Sequence, residues 1–274
     1  MGDSKQIPVD IGGTIYQITS NDNYLEHIRN GFEPEMVQLF RTLAPGSRTI
    51  LDVGANIGCT AILFAGMADR VYAFEPQPAL AGYLDTIMRT QRWRNVVLER
   101  AALSSAPGSM MLYVPAAPGH SSPGATLAPA AVEGVHHHVP VAVTTLDARV
   151  PAGERVSCIK CDCEGHELEV FQGAERILRQ DRPVLLFECE GRHLSASGRA
   201  TEEGRGRTPA DVFAYLQARG YAGFFFSPQG LQPVEAFRPE VHQPVRDGRF
   251  WQARDYCNNF LFVPAERNSS PAAR

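Results

Sequence analysis

Two periodicities alternate along the chain, and their order predicts its fold. Val9, Ile11, Ile15, Tyr16 and Ile18 alternate weakly, and Met36, Val37, Leu39, Phe40 and Leu43 then recur with helical spacing before Pro45-Gly46. From Arg48 onward, short apolar runs take turns with helical stripes. The pattern predicts a strand at 49–53, a turn at 54–58, a helix at 59–67, a strand at 71–74, a helix at 79–91 and a strand at 95–98. Residues 104–150 break the rhythm with a strand at 110–114, a Pro/Gly/Ser-rich loop at 115–129 and a return strand at 139–144, which reads as a hairpin insertion. Alternation resumes with a strand at 158–162, a helix at 168–178, a strand at 184–188, a helix at 209–219 and strands at 221–226 and 260–263. The last two are joined without a helical period, so they can pair antiparallel. Strict alternation predicts an α/β fold with a mostly parallel sheet covered on both faces. The expected organisation is a cap at 1–47, one domain at 48–264 and a flexible tail at 265–274.

Composition sharpens this picture. At 274 residues, 44% hydrophobic and 20% charged, the chain has the makeup of one folded domain with insertions. A net charge of −4 argues against a surface built for phosphate backbones or anionic lipid. No apolar run is long enough to cross a bilayer, and Met1 to Gln6 has no basic or apolar leader pattern. The expectation is a cytoplasmic protein with neither nucleic acid nor membrane as partner. Six cysteines, several in apolar strand contexts, read as free hydrophobes rather than a disulfide scaffold. Among 26 basic residues only Lys5 and Lys160 are lysine.

In an open parallel sheet a ligand lies beyond the carboxyl ends of the strands, where strand order reverses. The first such turn reads Asp52-Val53-Gly54-Ala55-Asn56-Ile57-Gly58. Gly54 and Gly58 let the backbone turn sharply and approach a ligand, and the helix that follows offers unpaired N–H groups. Glu75, 21 residues after Gly54 and followed by Pro76, ends the next strand where a ribose diol would donate two hydrogen bonds to it. A dinucleotide fingerprint would place glycine where Asn56 stands, and Asp52 adds a negative charge unwelcome beside a pyrophosphate. S-adenosylmethionine, cationic and phosphate-free, suits the turn better than NAD. Asp52, Gly54, Ala55, Asn56, Gly58, Glu75 and Pro76 are the cofactor candidates. The alternative is a tight strand-to-helix turn beside a solvated acid.

A second cluster, Lys160-Cys161-Asp162-Cys163-Glu164-Gly165-His166-Glu167, ends the fourth parallel strand, and Glu188-Cys189-Glu190 ends the fifth. Adjacent strands would bring Asp162 and Glu188 to one cleft. Methyl transfer needs an unprotonated attacking atom in line with the methyl group, hence positioning and a general base or a metal. Lys160, Asp162, Glu164, His166 and Glu188 are the catalytic candidates, with no single base distinguished. Asp162 and Glu188 would hold Mg²⁺ if a metal is used. Lys160 is expected to pair with Asp162 or Glu188, or to touch substrate oxygen. Strand alternation separates Cys158 from Cys161, which disfavours a zinc site, and His136 to His138 read as solvated loop histidines. Trp251, Tyr256 and Phe224 to Phe226 read as core or pocket wall.

Together with Ala73-Phe74-Glu75-Pro76, Thr144-Thr145-Leu146-Asp147 and Phe171-Gln172-Gly173-Ala174, these motifs resemble the FkbM family of S-adenosylmethionine-dependent methyltransferases. The resemblance covers about residues 48–190. It implies a class I methyltransferase Rossmann-like sheet of seven strands, mostly parallel with the last antiparallel, and O-methylation of a small-molecule hydroxyl on a sugar, glycan or natural product. It also carries cofactor roles onto Gly54, Asn56, Gly58 and Glu75. Cys163 departs from the aliphatic residue usual there. Residues 1–47 and 191–274 lie outside the motifs and are expected to shape acceptor choice. Two rivals remain: an NAD(P)-dependent oxidoreductase on a similar sheet, and a noncatalytic cofactor-binding module.

Overall fold

The apolar run at 49–53 becomes an inner strand of the largest sheet. The computed structural model describes residues 4–44, 46–117, 120–127, 136–196, 207–246 and 253–268. Its strands are β1 (Lys5–Ile11), β2 (Thr14–Ser20), β3 (Ser47–Val53), β4 (Ala68–Phe74), β5 (Val96–Glu99), β6 (Ala102–Leu103), β7 (Gly108–Val114), β8 (His137–Thr144), β9 (Val156–Cys161), β10 (Val184–Glu188), β11 (Tyr221–Ser227), β12 (Gly230–Pro233) and β13 (Asn259–Pro264). The main sheet runs β5-β4-β3-β9-β10-β13-β11-β12. β3, β4, β5, β9 and β10 are parallel, and β13 lies antiparallel to both β10 and β11. The chain leaves β3 toward β4 and β5, then returns to the other side of β3 through β9 and β10. Strand order therefore reverses between β3 and β9, the place where such sheets open a ligand crevice.

Side chains on successive β3 residues point to opposite faces, so Ile50 and Leu51 seed two cores. On one face the helix Cys59–Ala65 and the N-terminal segment pack over the sheet: Val9, Ile18, Phe32 and Phe40 share a core with Ile50, Phe64, Val71 and Leu186. Phe40 and Phe64 meet edge to face at 4.7 Å. On the other, Leu51, Phe171, Phe187, Phe213 and Phe262 cluster beneath the helix Pro209–Gln217, whose start carries a Thr208–Asp211 capping box. β6, β8 and β7 form a separate three-stranded sheet with its own apolar face of Leu112, Val114, Val141 and Val143.

Four departures from the sequence reading have local causes. The main sheet gains an eighth strand because the chain turns at Gly230 (φ +100°) and lays β12 back on β11. The helix expected at 168–178 splits into Glu167–Gln172 and Glu175–Gln180, since Gly173 passes so near the Ser104 carbonyl that a Cβ there would lie 2.2 Å from its oxygen. His137 and His138 belong to β8 rather than to a loop, and His137 Nδ1 lies 3.0 Å from the Ala116 carbonyl oxygen. Ala265–Asn268, expected to be loose, form a helical turn with Glu266 ion-paired to Arg182 at 2.9 Å. The rest of the expected tail, like Trp251 and residues 118–119 and 128–129 of the 115–129 loop, lies outside the described residues.

Candidate active site

The carboxyl ends of β3, β4, β9 and β10 surround a cavity of about 430 Å³, bounded further by Tyr24, Glu33 and Met36 of the N-terminal segment and by Ser122, Pro123 and Leu127 of the insertion. All of Gly54, Ala55, Asn56, Glu75, Pro76, Lys160, Asp162, Glu164, His166 and Glu188 line it. Gly58, the other cofactor candidate of this turn, is not among the lining residues.

The turn after β3 is saturated with internal hydrogen bonds. Gly54 N and Ala55 N donate to the Phe74 carbonyl (3.1 and 3.0 Å), and Gly58 N to the Ala55 carbonyl (2.9 Å). Asn56 N donates to Glu75 Oε2 at 2.9 Å, and Ile57 N to Asn56 Oδ1 at 2.8 Å. The amides of Gly54 to Gly58 therefore all have acceptors already. The glycines, too, answer to the protein itself. A Cβ on Gly54 (φ +74°) would lie 1.8 Å from the Asp162 carbonyl oxygen, and one on Gly58 (φ +96°) 2.4 Å from Leu84.

Glu75 ends β4 nearly buried, accepting from Asn56 N and, at 2.7 Å, from Gln77 N. Burial outweighs these two donors and pushes its carboxyl up to about 7. Gln77 also reaches across the cavity rim: its amide donates to the Ser122 carbonyl (3.0 Å) and accepts from Ser122 N (3.2 Å). Next to it, the Ser121 hydroxyl donates to Asp22 at 2.9 Å, so the insertion is tied to both the β4 end and the N-terminal segment.

Asp52 does not reach the cavity. Fully buried, it accepts from the Thr60 hydroxyl at 2.7 Å, and its other oxygen lies 3.7 Å from Lys160 Nζ. Lys160 donates to the Gly54 carbonyl at 2.8 Å and stands 3.6 Å from Asp162. Of the two expected partners it takes Asp162 and leaves Glu188. Burial disfavours the ammonium, but Asp162 and Asp52 outweigh it and hold Lys160 above its ordinary value. Burial likewise lifts Asp162 above the usual carboxylate range, with Lys160 opposing the rise.

Across the β9–β10 end the carboxyls are sorted by their neighbours. Glu164, held at φ 53°, pairs with His193 Nδ1 at 2.8 Å. Glu190 pairs with Arg192 and accepts from the Tyr256 hydroxyl at 2.8 Å. Burial works against its ionisation, yet Arg192 and His193 prevail and pull it down to about 2. Burial, reinforced by Asp162 and Glu164, carries Glu188 well above the usual range. His166 is turned away from proton chemistry at the centre, with Nε2 3.0 Å from the Ser104 hydroxyl and Nδ1 3.9 Å from Glu169. Glu167 is buried, accepts from Gly165 N at 3.0 Å and is pushed up to about 7 by burial.

Among the described residues, no group of three or more His, Cys, Asp and Glu is placed to hold a metal ion, so the donor set does not fit the Mg²⁺ considered for Asp162 and Glu188. Cys161 and Cys163 approach to 3.6 Å, while Cys158 lies in the core on the other face of the sheet. The residues that sequence reasoning missed are Tyr24, Glu33, Gln77, Ser122, Asn258 and Asn259, all lining the cavity from outside the motifs. Only Gln77, next to Glu75-Pro76, had a signal to find it by.

The comparisons with known proteins bear on the family and the fold. Residues 52–222 match the model of the methyltransferase FkbM domain. The chain belongs to the FkbM methyltransferase family. Among curated proteins it is 30% identical over 161 residues to the hexuronic acid methyltransferase AglP of Haloferax volcanii, covering 56% of this chain and 61% of that one. Among solved structures it resembles an FkbM methyltransferase from Methylobacillus flagellatus at 15% identity and a TM-score of 0.50, over 79% of this chain and 43% of the other. A SAM-dependent methyltransferase from Aquifex aeolicus matches at 14% identity and a TM-score of 0.43, over 88% and 93% of the two chains. This chain thus spans less than two thirds of AglP and of the first FkbM structure. Family membership sets aside the oxidoreductase alternative. FkbM motif residues also divide by task here: Asp147 lies away from the cavity and accepts from Arg176 N (2.7 Å) and Ile177 N (3.1 Å), capping the helix Glu175–Gln180.

Proposed function

We propose that this chain is an S-adenosylmethionine-dependent O-methyltransferase acting on a hydroxyl of a small molecule such as a sugar, glycan or natural product. The observation that carries the reading is the turn Gly54 to Gly58, whose amides are all engaged internally. Such a turn leaves no loop amide free for a pyrophosphate, while Glu75 beside it holds a carboxylate at the cavity wall. A phosphate-free cationic nucleoside fits this pairing. The name of AglP, a hexuronic acid methyltransferase, supports a carbohydrate-like acceptor.

The bound donor supplies an electrophilic methyl group; the chain does the rest. Glu75 takes the ribose hydroxyls. Lys160, anchored on the Gly54 carbonyl, ties the cofactor turn to Asp162 and holds that carboxylate at the cleft. Asp162 accepts the proton of the acceptor hydroxyl, and its raised affinity for protons makes it a better base than an ordinary aspartate. Glu188, half-buried next to Glu190, faces the acceptor from the end of β10. Glu164, paired with His193, closes the acceptor side. The reading is tested by calorimetric titration of the folded protein with S-adenosylhomocysteine and, separately, NAD, followed by labelled methyl transfer to a panel of sugars. Binding of the first ligand alone is expected. Binding of NAD instead would overturn the reading, as would no binding at all.

A further inference from the structure

The charge of the cleft narrows the acceptor, on the basis of the methyltransferase reading above. Nearly every basic residue of this chain is arginine, yet among the described residues no arginine lines the cavity. Lys160 lines it, but its ammonium already donates to the Gly54 carbonyl and stands between Asp52 and Asp162. Carboxyls meanwhile converge on the cavity from four places: Glu33 at the start of the helix Pro34–Leu43, Glu75 after β4, Asp162 and Glu164 after β9, and Glu188 at the end of β10.

These acids are not equally neutralised. Glu164 has His193, and Glu190 behind the wall has Arg192. Among the described residues no Lys, Arg or His forms an ion pair with Glu33 or Glu188, although both line the cavity. Glu33 is exposed, but Glu188 is half-buried; a half-buried carboxyl without a cation is costly, and a ligand that brings one relieves the cost. The donor's single net positive charge cannot serve every one of them. An acceptor carrying carboxylate or phosphate would meet repulsion and find none of the planar arginine forks that normally receive such groups. Beside Glu188 in the β10–β13 register stands Asn259, whose amide donates to Asn258 Oδ1 at 3.0 Å, and both residues line the cavity.

We propose that the acceptor is a polyhydroxylated amine, an amino sugar or aminocyclitol, whose ammonium is received at Glu188 while a neighbouring hydroxyl faces Asp162. Glu33 adds to the field from the N-terminal side and disfavours anionic acceptors.

The test uses the full chain saturated with S-adenosylhomocysteine at neutral pH and low ionic strength. It is titrated calorimetrically with D-glucose and with D-glucosamine and D-glucuronate, each of which differs from D-glucose at one group. D-glucosamine is expected to bind roughly tenfold more tightly than D-glucose, with D-glucuronate weakest. Added salt should narrow the gap, and Glu188→Gln should abolish it without loss of S-adenosylhomocysteine affinity. Equal binding of the three probes, no binding of D-glucosamine, or a preference for D-glucuronate would overturn the proposal, and so would MgCl₂ displacing D-glucosamine competitively. If S-adenosylhomocysteine itself fails to bind, the methyltransferase reading falls first and takes this inference with it. The wild-type probe series decides the matter even if the variant folds poorly.

Discussion

At the β3–β4 end of the cleft the path of the backbone sets the shape, whereas at the β9–β10 end side chains from scattered segments do. Gly54 must be glycine because the Asp162 carbonyl lies against it, and the amides of its turn are bound within the turn or to β4. The opposite wall is assembled from Glu33, Asp162, Glu164, Glu188 and Asn259, supplied by segments far apart in sequence. The first arrangement suits a ligand that never changes. The second can be altered one side chain at a time without moving the main chain, which suits a partner that differs between relatives.

This contrast can be broken most severely at Gly54. Gly54→Ala forces a Cβ onto backbone in a left-handed conformation, and should cost about 3 kcal/mol or more in denaturant unfolding and abolish S-adenosylhomocysteine binding. Gly82→Ala, with open space around a helical glycine, should instead leave stability equal or raise it by up to about 1 kcal/mol. Next in size, Asp162→Asn should lower turnover by more than about tenfold while leaving S-adenosylhomocysteine affinity within about twofold. Steady-state kinetics beside calorimetry separates the two, and near-normal turnover would remove Asp162 from the proton transfer.

A pH series sharpens the comparison further. Ribose hydroxyls favour the ionised form of Glu75, whose carboxyl stands at about 7, so affinity for S-adenosylhomocysteine should rise about tenfold between roughly pH 6 and pH 8. Glu75→Gln should flatten that rise. The unliganded protein should show the opposite trend. Glu75 and Glu167 bind protons more tightly folded than unfolded, so their contribution to stability is greatest below about 4.5 and falls as pH climbs toward 7. Thermal melts across that window check the sign. The smallest effect is expected at Gln77→Ala, which removes both hydrogen bonds to Ser122, for about 1 kcal/mol. Hydrogen exchange at residues 120–127 should quicken, with little change in the exchange of β3.

The same division explains what could be read from the sequence. The strand–helix alternation, the first turn and the two acidic strand ends were legible because strand periodicity and closely spaced motifs are local signals. Lys160 stood out by being a lysine in an apolar strand, and it does reach Asp162. Glu33 and Asn259 carried no such mark, since their neighbours in sequence say nothing of the cavity that the fold brings to them. The split at Gly173 was hidden for a related reason. Helical periodicity continues through it, and the bend is imposed by Ser104, remote in the chain. Asp52 was read as facing a ligand because a carboxylate at a strand end is exposed by default; here Thr60 and Lys160 turn it inward.

That bend at Gly173 has one more consequence. Ser104, at the entry to the insertion, lies against Gly173, and Asp147, near its far end, donates its own N–H to the Gly173 carbonyl at 3.0 Å. Both doorposts of the excursion are thus moored to a single point on the parent domain. Whatever is threaded between them can be lengthened, shortened or exchanged as a cassette while Asp162 keeps its station, a ready route by which evolution, or an engineer, could retune acceptor range without rebuilding the enzyme's hearth.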